Sequence, residues 1–197
     1  MGNKIKWQSV TVKFPKKLYL YAIWTKSESL MIYTTNVLHK SFAEMLKDAK
    51  KTVKYYQENS TNEETVISAI LVMPVSFVKN YPLKKSLWRE PKLRLDKFDR
   101  LLEFIKAIEK PHFYHLCVTP SFGEIKKGKK RVISFGAPFP IHKSSEKNID
   151  DLMKASDFPV TPEAKNCAIY KFDRVYGYDL ESGEIVDREV KETQLMN

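Results

Sequence analysis

The chain has 197 residues, is 43% hydrophobic and carries 34 Lys and Arg against 24 Asp and Glu, a formal charge of +10. Such a length buries a core large enough to fold without disulfides or a structural metal. Ten Pro and six Gly exclude a collagenous or low-complexity chain, and no apolar run approaches the ~20 residues that span a bilayer. The opening Met1-Gly2-Asn3-Lys4-Ile5-Lys6 lacks the apolar stretch of a signal peptide, and Lys6 stands where myristoylation wants Ser or Thr. The expectation is a soluble protein of the cytoplasm.

Residues 10–14, Val-Thr-Val-Lys-Phe, alternate apolar and polar, the period of a half-buried strand, until Pro15 breaks it. Residues 18–24 and 30–34 predict a hairpin around Lys26-Ser27-Glu28. Over residues 39–58 the period changes: Phe42, Leu46, Ala49, Val53 and Tyr56 make one helix face, with lysines on the other. Residues 66–73, VISAILVM, are apolar almost without interruption, as a central strand buried on both faces would be, and Pro74 is expected to end it. A basic loop over 75–95 leads to a second helix over 96–110. Its stripe is Phe98, Leu101, Leu102, Ile105 and Ile108, with Asp96 at its N-terminus and Pro111 closing it.

Residues 113–118 and 131–135 flank residues 124–130 as a hairpin or long loop with a basic tip, and a short helix is predicted over 146–155. A loop with two prolines covers 156–166, and the tail reads as two or three strands with a turn at Glu181-Ser182-Gly183-Glu184. The predicted class is α+β, a mixed β-sheet packed with two main amphipathic helices.

The charge is unevenly spread. Residues 1–135 hold 26 Lys and Arg against 12 Asp and Glu, a net +14, whereas residues 136–197 hold 8 against 12, a net −4. A basic body of this kind predicts a polyanionic partner. Of the 34 basic residues 28 are Lys, so phosphate contacts would be point-charge contacts, backbone-directed and salt-dependent. The expected contact residues are Lys79, Lys84, Lys85, Arg89, Lys92, Arg94 and Lys97, with Trp88 and Tyr81 interleaved as stacking surfaces. The tip Lys126, Lys127, Lys129, Lys130 and Arg131 joins them. Neutralising about five phosphates would give a log–log salt slope of roughly −4 to −5. At the acidic end, Tyr176, Tyr178, Asp179, Glu181 and Glu184 combine aromatics with carboxylates, a patch suited to a protein partner.

Between residues 66 and 108 the order is buried strand, Met73-Pro74, lysine-rich loop, then LRLDKFDRLLEFIKAI. This resembles the RusA family of Holliday-junction endonucleases, where a strand runs into a Met-Pro step and a basic loop before a helix opening on an acid pair and a nearby Lys. The likeness covers residues 10–110. It implies a RusA-like core within residues 1–135 and a C-terminal β-rich extension over 136–197. The family's carboxylates hold two Mg²⁺ ions that activate water. Here Asp96 matches the second acid, but Arg94 occupies the place of the first and Arg100 that of the family's Lys. Lys110-Pro111-His112-Phe113 stands where the family has an Asp-Asp step. Asp96 and Asp99 facing an arginine make a poor Mg²⁺ cage, so the resemblance implies a scaffold without catalytic residues, Asp96, Asp99 and Arg100 being vestigial.

His112, His115 and Cys117 lie close together but lack a fourth ligand at zinc spacing, and Cys117 and Cys167 are expected as reduced thiols. No metal or cofactor is expected. In size and composition the chain is similar to small Staphylococcus-phage anti-sigma proteins. The functional expectation is a non-catalytic phage-type regulator that contacts DNA and binds host RNA polymerase or its sigma factor. The alternative is a Mg²⁺-dependent, structure-selective DNA endonuclease using Asp96 and Asp99.

Overall fold

The computed structural model describes residues 11–24, 33–34, 37–59, 69–82, 97–124, 131–135, 138–148 and 165–186. In chain order the elements are β1 (Lys17–Trp24), β2 (Tyr33–Thr34), α1 (Phe42–Asn59), β3 (Ala69–Pro82), α2 (Lys97–Glu109), β4 (Tyr114–Val118), β5 (Pro120–Glu124), β6 (Arg131–Phe135), β7 (Phe139–His142), β8 (Asn166–Phe172), β9 (Tyr176–Asp179) and β10 (Ile185–Val186). The class is α+β, with two amphipathic helices, and every described strand pairing is antiparallel.

The axis of the sheet is β3. Along one side it pairs with β1, Lys17 opposite Ser76 through to Trp24 opposite Ala69, and β1 carries β2 as the expected hairpin partner. Along the other side two strands lie end to end: β9 against residues 69–72 and β8 against residues 75–82. Next to β8 come β4 and then β7, while β10 pairs with β9. Because β8 sits between β3 and β4, strands from residues 136–197 are built into the same sheet as those from residues 1–135.

Alternation along β1 and β3 sends side chains to both faces. Leu18, Leu20, Leu71, Met73 and Val75 meet Phe104, Ala107 and Ile108 of α2 on one face. Tyr21, Ile23, Ile70 and Val72 meet Met45, Ala49 and Val53 of α1 on the other. Burial on both faces is why this stretch reads as an unbroken apolar run.

Four expectations are corrected. Pro74 does not end the central strand, and residues 75–82 of the expected loop are strand. Tyr19, opposite Pro74, spends its N–H and C=O on His39 at 2.9 and 3.0 Å, so the Tyr19–Pro74 pair is non-hydrogen-bonded and Pro74 turns its backbone the other way. There its carbonyl accepts the Asp173 N–H at 2.9 Å, in the gap between β8 and β9. The absent proline N–H faces a break in the ladder, where none is needed.

Residues 11–15 join no strand, although Val12 and Phe14 are buried and Thr11 and Lys13 exposed, as their alternation predicts. The Asn166 side chain stands in for a neighbouring strand: its Oδ1 accepts the Val12 N–H at 2.8 Å and its Nδ2 donates to the Val12 carbonyl at 3.0 Å. Finally, the partner of β6 is β5, with Glu124 opposite Arg131, while β4 goes to β7 and β8. The first part of the helix expected over 146–155 is a 3-10 turn, Lys143–Asn148; residues 149–155 and the loop 156–164 lie outside the described residues.

Candidate nucleic-acid interface

On α1 the buried residues Met45, Ala49 and Val53 fix the orientation of the helix on the sheet. Ser41 caps it: Ser41 Oγ accepts the Glu44 N–H at 3.2 Å, and Glu44 Oε2 reaches back to the Lys40 N–H at 3.3 Å, a variant of the capping box. With the apolar face against the sheet, Lys47, Lys50, Lys51 and Lys54 stand at i, i+3, i+4 and i+7, one outward stripe over two turns. Lys54 pairs with Glu58 at 3.7 Å, both largely exposed, which contributes little. Lys47, Lys50 and Lys51 have no ion pair among the described residues.

Beside this stripe is an open depression of about 410 Å³, lined by Leu38, His39, Lys40, Glu44, Lys47, Asp48 and Lys51. Tyr21, fully buried on β1, donates from its hydroxyl to Asp48 Oδ2 at 3.0 Å and lies 2.8 Å from Thr52 Oγ1. Asp48 is thereby fixed. His39 is held by its backbone bridge to Tyr19, and its side chain is only 10% exposed. Its Nε2 lies 3.4 Å from Asp48 Oδ2, inside ion-pair range but without hydrogen-bond geometry, so this buried nitrogen has no hydrogen-bond partner. The apolar period of residues 42–56 places lysines on the other face of α1 and does not single out His39 or Asp48. The available signal was the i, i+3, i+4, i+7 spacing; the meeting of His39 with Asp48 depends on strand pairing.

Of the basic residues expected to touch nucleic acid, Lys84, Lys85, Trp88, Arg89, Lys92, Arg94 and the tip Lys126, Lys127, Lys129 and Lys130 lie outside the described residues, as does Asp96. Lys79 is exposed near the end of β3, just past a bulge between Phe77 and Lys79. Lys97, Asp99 and Arg100 belong to the first turn of α2, and Arg131 opens β6 opposite Glu124. The two helices are on opposite faces of the sheet. The α1 stripe and the α2 segment that carries Lys97 and Arg100 are therefore separated by the sheet.

The acidic end is partly committed to structure. Asp179 Oδ1 accepts the N–H groups of Glu181 and Ser182, both at 2.9 Å, and Gly183 closes the turn at φ +74°. Tyr178 packs edge-on against Phe42, and Arg174 covers the Tyr176 ring at 4.3 Å. Glu181 and Glu184 remain exposed. Among the described residues no three of His, Cys, Asp or Glu come together as a metal site, and no helix is long and apolar enough to cross a membrane. Cys117 and Cys167 are unbonded and buried, with sulfurs 3.7 Å apart; the contact with Cys167, followed by burial, pushes the Cys117 thiol well above its ordinary value. No known protein family, curated protein or solved structure matches the chain.

Proposed function

We propose that this protein is a non-catalytic regulator that holds DNA by its backbone and docks on a protein of the host transcription machinery, RNA polymerase or its sigma factor. The observation that carries the DNA reading is the α1 stripe: four lysines on one outward face, three of them without an ion pair among the described residues. Ammonium groups left to solvent in this way are point charges for phosphates. The net +14 of residues 1–135 supports the same reading. The exposed Glu181 and Glu184 beside the Asp179 turn suit a basic protein surface. A RusA-like scaffold without the first acid of the pair fits binding without cleavage.

Duplex binding by fluorescence anisotropy across a salt series tests the DNA reading. Four phosphate contacts contribute about −3.6 to the log–log slope, so replacing Lys47, Lys50, Lys51 and Lys54 by Gln should flatten the slope by about that amount. An unchanged slope removes α1 from the interface. Recovery of RNA polymerase or a sigma factor from bacterial lysate, lost on E181K/E184K, tests the protein partner. Asp96-dependent nicking of four-way junctions with Mg²⁺ would replace the whole reading by that of an endonuclease.

A further inference from the structure

The structure assigns a stacking site for an unpaired nucleobase to the turn between α2 and β4, where Phe113, His112 and His142 form a platform of rings. The inference rests on the reading of this protein as a nucleic-acid binder and extends it from the phosphate backbone to the bases of a single strand. A lone exposed phenyl ring calls for no explanation. Phe113, 47% exposed, is instead the centre of an ordered group. The His112 ring lies 4.0 Å from it, centroid to centroid, and the His142 ring 6.1 Å from it at an interplanar angle of 15°, close to parallel.

Local backbone and strand register hold these rings in place. Pro111–Phe113 is a 3-10 turn in which the Phe113 N–H donates to the Lys110 carbonyl at 2.9 Å and the Tyr114 N–H donates to the Pro111 carbonyl. The β4–β7 register sets Tyr114 opposite His142, and the buried Tyr114 ring meets the imidazole edge-on at 5.3 Å. On its other side the Ser144 N–H donates to His142 Nδ1 at 3.3 Å, and Ser144 Oγ lies 2.6 Å from the same atom. Nδ1 is therefore an acceptor, so the neutral imidazole carries its proton on Nε2. That Nε2–H has no partner among the described residues.

A nucleobase supplies a flat π-face for the rings and oxygen or nitrogen acceptors for the imidazole donor. Bases inside a duplex have both faces covered by their neighbours, so the platform selects for single strands. Lys110 and Lys143, next in sequence to the ring residues, are exposed and without an ion pair among the described residues. Of the carboxylates on the last turns of α2, Glu103 is held by Lys106 at 2.8 Å, which leaves Glu109 against the two free lysines. The cationic excess is small, so stacking carries the affinity and the lysines meet the adjoining phosphates. An apolar protein surface laid on the same rings would instead cover the Nε2–H and both ammonium groups without offering acceptors.

Anisotropy with a labelled oligothymidylate of about ten nucleotides, a length within single-strand site sizes, tests the inference beside the same strand annealed to its complement. Phe113→Ala should weaken single-strand binding roughly 5- to 150-fold, the effect of losing one stacked base, and leave duplex affinity unchanged. Phe113→Trp should retain the affinity, whereas Phe113→Leu, which keeps apolar bulk without a π-face, should lose it. The ring protons of Phe113 and His142 should move upfield when the strand is added, because a base stacked over them shields them. An oligouridylate of equal length identifies the strand, the tighter of the two naming it as DNA or RNA. Duplex binding with a single-strand affinity indifferent to residue 113 overturns the inference alone, and the α1 reading stands. Equal tolerance of Leu and Trp, with recovery of polymerase or sigma factor lost on Phe113→Ala, gives the ring to a protein partner and also overturns it. A parent protein that binds neither strand nor duplex removes the nucleic-acid reading itself.

Discussion

Replacing Asn166 by Ala should cost about 2–6 kcal/mol of folding stability. The side chain is 5% exposed and serves Val12, itself 3% exposed, through both backbone groups. Truncation leaves a buried N–H and a buried C=O unpaired, each costing about 1–3 kcal/mol. The third bond, from Nδ2 to Asn80 Oδ1 at 3.1 Å, costs less, because Asn80 is exposed and water replaces the donor. Local release of residues 11–15 sets an alternative limit of similar size, since it gives up burial of Val12 and Phe14 at about 1.5–3 kcal/mol each. Urea unfolding followed by far-UV circular dichroism measures the change as a shift in midpoint at constant slope. Asn166→Asp keeps an acceptor for the Val12 N–H but sets a carboxylate against the Val12 carbonyl, and should destabilise as well. A loss below about 0.5 kcal/mol for Asn166→Ala would refute the idea that this amide replaces a strand.

Burial raises the Tyr170 phenol well above its ordinary 10.0, and Tyr114 is raised too, by burial and then by Glu103. Because the folded-state values are the higher ones, this stabilisation is complete below the unfolded value near 10.0 and is lost as pH rises above it. Denaturation midpoints should fall on the alkaline side, and Tyr170→Phe should lessen that fall while losing the bond to the Pro15 carbonyl at 2.7 Å. Cys117 and Cys167 should resist a thiol-reactive disulfide reagent in native buffer and react together once urea opens the sheet, since both are buried out of the reagent's reach and the Cys117 thiol is pushed up besides. Labelling of either at the rate of a free thiol would contradict their burial. Ser41→Ala, which removes the cap of α1, should cost about 1 kcal/mol in the same urea assay.

What the sequence determined was whatever depends on neighbours a few positions away. The apolar period of residues 42–56 gave α1, the unbroken run before Pro74 gave a strand buried on both faces, and the lysine spacing already contained the outward stripe. Gly183 in its turn was legible for the same reason, since only local backbone geometry is involved. Tertiary structure decided the rest, because it depends on which distant segments pair. Pro74 reads as a terminator until the break between β8 and β9 is laid beside it. The alternation of residues 11–15 signals a strand, yet its hydrogen bonds go to a side chain 154 positions away. His39 and Asp48, ordinary in sequence, face each other only because β1 holds the one by its backbone and α1 turns the other toward Tyr21. The separation of the α1 lysines from α2 by the full sheet was likewise invisible in the chain, since a sum of charges carries no information about the face on which each charge stands.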